Sequence, residues 1–296
     1  MSAANEVTVV DCLRHEKVRF ADEELSSFIL KQTDIRDYDA LQAVFDEVQP
    51  ELVIHAAALH YIPECDARPD EAISINVLGT ANVVRAVAPG TRLINISTAA
   101  VYAPEDDAHV EATSPVGPLD VYGYTKFHAE QYVQHWAAMK DLRVGIIRLF
   151  NVVGPGETNP HILPAIIAQL QTGQRVLHLG NCYPLRDYID VSDVADGITA
   201  VAAGLCEEPG VDIVNLGTGA SHSVYEIVEK LGAIMGEELT IESDPSRLRT
   251  VDRPVLRADI TKIGTKYGWE PKLTIDDSLR SLHEAPDIAP ELLARC

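Results

Sequence analysis

Length, composition and charge narrow the possible classes of protein. The chain has 296 residues, 46% of them hydrophobic, and its formal net charge is −21 at pH 7. Nucleic acids and anionic membrane surfaces bind proteins through basic surfaces, so this charge argues against both as partners. No apolar run approaches the roughly 18 residues of a membrane span, and the five cysteines lack metal-ligand spacing. We therefore expect a soluble, cytoplasmic protein in a reducing compartment, without a structural metal.

Strand-like and helix-like patterns alternate through the first half of the chain. Strands are predicted for residues 6–11, 51–55, 92–97 and 143–149, and helices for residues 37–48, 70–88 and 121–140. This alternation is typical of a parallel sheet that is covered by helices. The sequence therefore predicts an α/β fold with a doubly wound parallel sheet.

Frequent prolines mark a change after residue 150. We expect residues 1–150 to form a dinucleotide-binding domain, to which residues 185–205 return with a helix that begins at Asp193. Residues 151–184 and 206–296 are then mostly a smaller substrate-binding lobe, near the carboxyl edge of the sheet. A dinucleotide-binding fold opens with a strand, a Gly-rich turn and a helix, but the first glycine here is Gly79. The first βα unit, on the order of 25 residues, is therefore expected to be missing.

Tyr122 and Lys126 carry the main chemical signal. They are four residues apart at the start of a predicted helix, so both side chains lie on one helical face. A tyrosine with a pKa of about 10 is a poor base at neutral pH, whereas a neighbouring ammonium favours the phenolate. Upstream, Ser97 and Thr98 end a predicted buried strand, where a hydroxyl could bind a reacting oxygen. The alternative is that both hydroxyl residues simply terminate the strand.

An ordered series of motifs extends through nearly the whole chain. They lie at residues 9–11, 33–37, 53–58, 76–80, 97–102, 122–126, 148–155, 186–194 and 215–219. In this order the motifs resemble those of the extended short-chain dehydrogenase/reductase family, which includes UDP-glucose 4-epimerase and other enzymes that modify nucleotide sugars. The resemblance implies a Rossmann-type fold and NAD as cofactor.

The resemblance also implies roles in cofactor binding and catalysis. Asp11 corresponds to the residue that binds the adenosine ribose and favours NAD over NADP, and Asp34 and Ile35 correspond to adenine contacts. Ala56, Ala57 and Ala58 would line the cofactor, and Asn76 would support the site. Tyr122 would be the general acid/base, Lys126 would also hold the nicotinamide ribose, and Thr98, rather than Ser97, would be the catalytic hydroxyl.

Four further residues are candidates for binding the substrate. Arg186 and Arg253 are the best candidates for phosphate, because guanidinium groups match phosphate oxygens. Asn151 resembles a residue that holds the sugar or the diphosphate, although a polar cap in a turn is an equal alternative, and His161 is a further sugar contact. Arg186 could instead pair locally with Asp187, and Arg253 could belong to a solvated charge cluster.

The residues after Thr98 favour one reaction over others in the family. Related 4,6-dehydratases have an Asp-Glu pair directly after this threonine, whereas Ala99 and Ala100 follow it here. We therefore predict a UDP-hexose 4-epimerase that works through a transient keto-sugar. A nucleotide-sugar 4-ketoreductase remains an alternative, and a 4,6-dehydratase is a less favoured one. A non-catalytic nucleotide-sugar binding protein is an alternative of another class. A homodimer is expected from the helices at residues 70–88 and 122–140, which resemble the family's dimerisation pair.

Overall fold

The computed structural model describes residues 5–14, 20, 22–157, 159–247 and 253–285. It divides the chain into two compact units. The first unit comprises Met1–Ser97, Asp120–Ile147 and Val201–Ile213. The second unit comprises Thr98–Leu119, Arg148–Ala200 and Val214–Cys296.

Strands and helical segments alternate through the first half of the chain, as predicted. In chain order they are β1 (Thr8–Asp11), α1 (Asp22–Leu25), β2 (Ile29–Gln32), α2 (Tyr38–Val48), β3 (Leu52–His55), α3 (Ile62–Ala67), α4 (Pro69–Ile73), a π-helical turn (Ser74–Gly79), α5 (Thr80–Ala86), β4 (Arg92–Thr98), a 3₁₀ turn (Ala99–Val101), α6 (Val121–Lys140), β5 (Arg143–Leu149), β6 (Asn151–Val153), α7 (Ile162–Gln171), β7 (Val176–Leu179), β8 (Leu185–Arg186), β9 (Tyr188–Asp190), α8 (Val191–Gly204), β10 (Gly210–Leu216), α9 (Val224–Met235), β11 (Thr240–Ser243), a second 3₁₀ turn (Pro245–Arg247), β12 (Val255–Leu256), α10 (Thr261–Tyr267) and α11 (Ile275–Glu284).

Parallel strand pairing confirms the predicted α/β class. In the first unit β1 pairs with β2 in parallel, with Thr8 opposite Ile29. A separate four-stranded sheet has the order β10-β5-β4-β3, and β3 and β4 run parallel with His55 opposite Asn95. Among the described residues, the second edges of β1 and β3 have no strand partner.

Local capping explains where two of the predicted helices begin. The Asp37 side chain accepts a hydrogen bond from Ala40 N and caps α2, and the Asp120 side chain accepts one from Gly123 N and caps α6. Such caps satisfy N–H groups that have no partner within the helix. Helix α6 has the predicted bounds, and α2 begins one residue inside its predicted range.

The helix predicted for residues 70–88 is interrupted. It consists of α4, the π-helical turn and α5, so six residues widen the helix in its middle. Asn76 lies within this turn and is fully buried. Short π-helical segments frequently occur at functional sites.

Each unit has its own apolar core. The first core packs α2, α5 and α6 against the sheet, and its members are Ile35, Leu41, Phe45, Val83, Val84, Ala86, Val87, Leu93, Val133, Ala137, Leu142, Val144 and Ile146. The second core is built mainly from α7, α9 and α11, with Ile166, Leu177, Ile227 and Leu279 essentially inaccessible to solvent.

The second unit is made of shorter elements. Its strands form three parallel pairs, β6 with β9, β7 with β11, and β8 with β12. Helices α9 and α11 each begin with a reciprocal capping box, at Ser223–Glu226 and Thr274–Asp277. In the part of the chain that the structure describes, no helix combines the length and apolar character needed to cross a membrane.

Candidate active site

Helix α6 positions the Tyr–Lys pair. Tyr122 lies in the first turn and is half-buried, and its ring packs against a small apolar cluster that contains Leu59 and Cys65. Lys126 follows one turn later with 2% of its surface exposed. Spacing alone predicted the common face, but only the tertiary structure shows that Lys126 is buried.

Burial changes the titration of Lys126 and of its neighbour His55. Removing Lys126 from water lowers its pKa to about 8, an effect that the nearby Glu130 carboxylate opposes. Burial, with a smaller contribution from the Lys126 charge, lowers the pKa of His55 to about 3. His55 is therefore neutral at pH 7. Its Nε2 lies 2.9 Å from Thr80 Oγ1, and because that hydroxyl donates to Asn76 O, Nε2 is the donor to Thr80.

Sequence reasoning missed Glu130, which is fully buried. It follows Lys126 by four residues on α6, and one of its carboxylate oxygens accepts a 2.5 Å hydrogen bond from Ser97 Oγ. The Ser97 hydroxyl is thus committed to Glu130. The same four-residue spacing that marked Tyr122 and Lys126 could have identified Glu130, since it continues one helical face.

Asn76 connects the loop after β3 to α6. Its side chain accepts from Leu59 N at 2.8 Å and donates to Leu59 O at 2.9 Å and to Thr125 Oγ1 at 2.9 Å. The Thr125 hydroxyl in turn donates to Tyr122 O. Asn76 thereby connects the start of α6 to the chain that follows Ala58.

The remaining cofactor candidates of the first unit follow the carboxyl ends of its strands. Asp11 ends β1, is exposed, and accepts a 2.6 Å hydrogen bond from Leu13 N. Asp34 and Ile35 follow β2: the Asp34 carboxylate pairs with Arg36, which lowers its pKa, and Ile35 is buried. Ala56, Ala57 and Ala58 follow β3 outside any helix or strand.

Thr98, the first residue of the second unit, ends β4 and caps the 3₁₀ turn that follows. Its side-chain oxygen accepts from Ala100 N at 3.2 Å. Arg253, predicted to bind phosphate, is 7% exposed and donates to Ala100 O at 2.8 Å and to Tyr102 O. Its guanidinium group therefore holds the backbone that follows Thr98.

The other substrate candidates lie on three different elements. Arg186, in β8, donates to its neighbour's carbonyl and to Arg253 O at 2.9 Å, which brings the two arginines together. Asn151 begins β6, where its N–H donates to Asp187 O. His161 is the residue before α7 and is partly buried.

Asp187 organises a loop that sequence reasoning did not identify. Its carboxylate accepts from Thr218 N, Thr218 Oγ1, Gly219 N and Ala258 N at 2.7–3.1 Å. A side chain at Gly217 would come within 2.8 Å of this carboxylate, which explains the glycine. Burial raises the pKa of Asp187, and these hydrogen bonds oppose the rise.

Tyr102 belongs to a second cluster of buried polar side chains in this unit. Its hydroxyl donates to Asn215 Oδ1 at 2.7 Å, and its ring stacks on His109 with centroids 4.7 Å apart. The Arg148 guanidinium carbon lies 4.7 Å from the ring centroid. Burial raises the pKa of Tyr102 to about 12, so this tyrosine is a neutral structural residue.

Comparison with known proteins identifies the family. The model of the NAD dependent epimerase/dehydratase family matches residues 1–217, well over half of the chain. The chain belongs to this family. The resemblance inferred from the motifs is thus confirmed, and the protein is an enzyme of a family that depends on NAD.

Individual relatives within the NAD dependent epimerase/dehydratase family support both favoured reactions. UDP-glucose 4-epimerase of Yersinia pestis is 34% identical over 265 residues, covering 82% of this chain and 78% of its own. GDP-6-deoxy-D-mannose reductase of Pseudomonas aeruginosa is 30% identical over 263 residues, covering 84% of both chains. The structure of UDP-glucose 4-epimerase from Stenotrophomonas maltophilia with bound NAD and formylated UDP-arabinopyranose has 27% identity and a TM-score of 0.82, covering 95% of this chain and 90% of its own.

The residues of the first unit fit the nucleoside parts of NAD. Loops open from the carboxyl ends of parallel strands β1, β2 and β3, where open α/β sheets bind ligands. Asp11 offers an exposed carboxylate for ribose hydroxyls, and Lys126 offers a buried cation at the start of α6. The turn that follows β1 contains no glycine to approach a pyrophosphate.

Proposed function

We propose that this enzyme is a UDP-hexose 4-epimerase. The supporting observation is the buried Lys126, one helical turn beyond the half-buried Tyr122, on a chain whose Yersinia pestis relative is a UDP-glucose 4-epimerase. Ala99 and Ala100 are both buried in the turn after Thr98. These positions therefore offer no carboxylate to protonate a leaving hydroxyl, which disfavours dehydration.

Each residue of this chain has a distinct chemical task in the proposal. Lys126 stabilises the phenolate of Tyr122, which removes the proton from the sugar 4-hydroxyl and later returns it. NAD, when bound, accepts and returns the hydride at the sugar carbon. Thr98 is the hydroxyl assigned to the reacting oxygen, an assignment supported by the commitment of Ser97 to Glu130.

The cofactor and substrate contacts are part of the same proposal. Asp11, Asp34, Ile35, Asn76 and residues 56–58 serve the cofactor. Asn151, His161, Arg186 and Arg253 serve the nucleotide-diphosphate sugar. The bonds from Arg253 to Ala100 and Tyr102 support a role in shaping the backbone after Thr98, in addition to direct contact with phosphate.

Conversion of UDP-galactose into UDP-glucose without net production of NADH tests the proposal. Tyr122→Phe should lower kcat by about 10²–10⁴-fold, the usual contribution of a positioned acid/base. Tyr124→Phe is the matched control, because Tyr124 lies in the same helical turn and is 52% exposed. Equal activity of the two variants would contradict the assignment of Tyr122.

A nucleotide-sugar 4-ketoreductase is the second candidate, favoured by the similarity to the Pseudomonas aeruginosa reductase. Stoichiometric oxidation of NADH or NADPH by a 4-keto-sugar nucleotide, without interconversion of UDP-hexoses, would identify this activity. Cofactor binding is measured separately by fluorescence. If the chain binds sugar nucleotide but no cofactor, it is a binding protein.

A cytoplasmic homodimer belongs to the proposal as well. Exposed apolar side chains on α4, the π-helical turn and α6 support pairing through these helices: Ile73, Leu78, Tyr124, Tyr132 and Met139. Sedimentation velocity of the purified chain should give a mass of about twice 32.3 kDa.

A further inference from the structure

Helix α6 contains one acidic residue, Glu130, and it lies on the face that carries the Tyr–Lys pair. Lys126 and Glu130 are four residues apart, a spacing that places side chains together on a helix. Both are buried, with 2% and 0% of their surface exposed. An isolated ammonium at such a position would be strongly disfavoured, because burial removes its hydration.

Ser97 fixes the orientation of the Glu130 carboxylate. Its hydroxyl, on β4, donates to Glu130 Oε1 at 2.5 Å. Ser97 is itself 2% exposed. The carboxylate is thus anchored from the sheet while its charge acts on the same helix.

We propose that Glu130 is a positioning residue that keeps Lys126 in its ammonium form, so that Tyr122 can act as the base at neutral pH. This inference rests on the proposed function, because it assigns a task to the Tyr122–Lys126 pair. Ser97, in turn, keeps the Glu130 carboxylate in place for that task.

Among the described residues, Lys126 interacts electrostatically with Glu130 and His55, and Tyr122 precedes it by one helical turn. Glu130 is the opposite charge, and it raises the pKa of Lys126 against the larger effect of burial. His55, on β3, has a pKa of about 3 and is uncharged over the working range. Tyr122, on α6, is the group that gains from the ammonium. The Glu130 charge is therefore the contribution to the stability of the Lys126 ammonium that a single substitution can remove.

Direct titration of Lys126 tests the inference without any requirement for catalysis. Lysine labelled with ¹³C at Cε is followed by NMR against pH in the full chain, and Lys126→Arg assigns the signal. Glu130→Gln retains the volume and an oxygen acceptor for Ser97 but removes the charge. The pKa of Lys126 should fall by about 1–3 units, the range for loss of an adjacent opposite charge.

A matched variant controls for the change in net charge. Asp141→Asn removes one negative charge at the opposite end of α6, where Asp141 has a φ of 54° that asparagine tolerates. This variant should leave the Lys126 titration unchanged. If Glu130→Gln moves the titration no further than Asp141→Asn does, the inference is wrong.

The pH dependence of turnover gives a second readout. In Glu130→Gln the alkaline limb of kcat should move to lower pH by the shift measured for Lys126, with KM for the sugar nucleotide retained. Glu130→Asp keeps the charge, so it should stay close to wild type. If Glu130→Gln fails to fold, the inference instead depends on Glu130→Asp, whose Lys126 should titrate near the wild-type pKa. If the wild-type chain has no epimerase activity, the proposed function fails, whereas the NMR titration still decides the inference.

Discussion

The two units use buried polar side chains differently. In the first unit, Lys126 and Glu130 lie on one face of α6, and the Glu130 charge raises the pKa of Lys126 against the larger effect of burial. In the second unit, among the described residues, the buried Asp187 carboxylate accepts from three backbone N–H groups and one hydroxyl, with no cation. A buried charge near Lys126 adjusts its proton affinity, whereas neutral donors around Asp187 fix the path of a loop. Four substitutions test this contrast through the free energy of unfolding.

The largest effect is expected from Asp187→Ala. It leaves the N–H groups of Thr218, Gly219 and Ala258 without their acceptor, which should lower the free energy of unfolding by about 3–5 kcal/mol. Urea denaturation measures this change. Asp196→Ala is the control, since the Asp196–Lys272 pair is exposed and such pairs contribute at most about 1 kcal/mol. If both variants lose a similar amount of free energy of unfolding, Asp187 does not organise the loop.

Lys126→Met should give a difference that depends on pH. The folded-state pKa of Lys126 is about 8, against an ordinary value of 10.5. Between these values the unfolded chain binds more protons at this residue, so the contribution of Lys126 to stability rises with pH. The free energy of unfolding of the wild type minus that of the variant should therefore increase by about 3 kcal/mol from pH 8 to pH 10.5. Lys31→Met serves as the control for loss of an ammonium, and a pH-independent difference for Lys126→Met would show that Lys126 is hydrated.

Asn76→Ala tests the connection between the β3 loop and α6. It leaves both Leu59 N and Leu59 O without their side-chain partner, so we expect a loss of about 2 kcal/mol. Thr125→Ala removes one partner of Asn76 and preserves the Leu59 bonds, and should have about half that effect. Thermal unfolding of both variants shows which substitution lowers the stability more. The reverse order would place the main connection at Thr125.

The smallest effect is expected from Asn95→Leu, and it should be stabilising. Asn95 is fully buried in β4, and within the described chain neither its amide nitrogen nor its oxygen has a hydrogen-bond partner. Replacing such a group by an apolar one should raise the free energy of unfolding by about 1 kcal/mol. Ile96→Leu controls for the change of side-chain shape in the same strand. A lower melting temperature for Asn95→Leu would indicate that the amide is hydrogen-bonded in solution.

The sequence predicted the regular elements well where a local signal was strong. The bounds of α6 and β5 agree with the prediction, because periodicity and the Asp120 cap act within a few residues. The π-helical turn was not predicted, since its apolar spacing resembles that of an ordinary helix. Helix α8 begins two residues before the predicted Asp193, within the usual uncertainty of helix ends.

Side-chain positions could be predicted from the sequence where they depend on local spacing, but hydrogen-bond partners could not. The short spacing between Tyr122 and Lys126 was sufficient to place them on one face. Arg253 was chosen because guanidinium groups match phosphate oxygens, yet its guanidinium group donates to the carbonyls of Ala100 and Tyr102. Asp187 was considered only as a local partner for Arg186, whereas its hydrogen bonds reach residues more than 30 positions away. Such pairings depend on contacts distant in sequence, which spacing does not reveal.

The sequence by itself determined the α/β class, the family and the face of α6 that carries Tyr122 and Lys126, because periodicity, capping and ordered motifs are properties of short segments. Only the tertiary structure decided that Lys126 is buried, that Ser97 binds the buried Glu130 of the same helix, and that Asp187 holds a loop in the second unit. Burial and hydrogen-bond partners arise when distant segments pack together, and they set the proton affinities on which the chemistry of this enzyme depends.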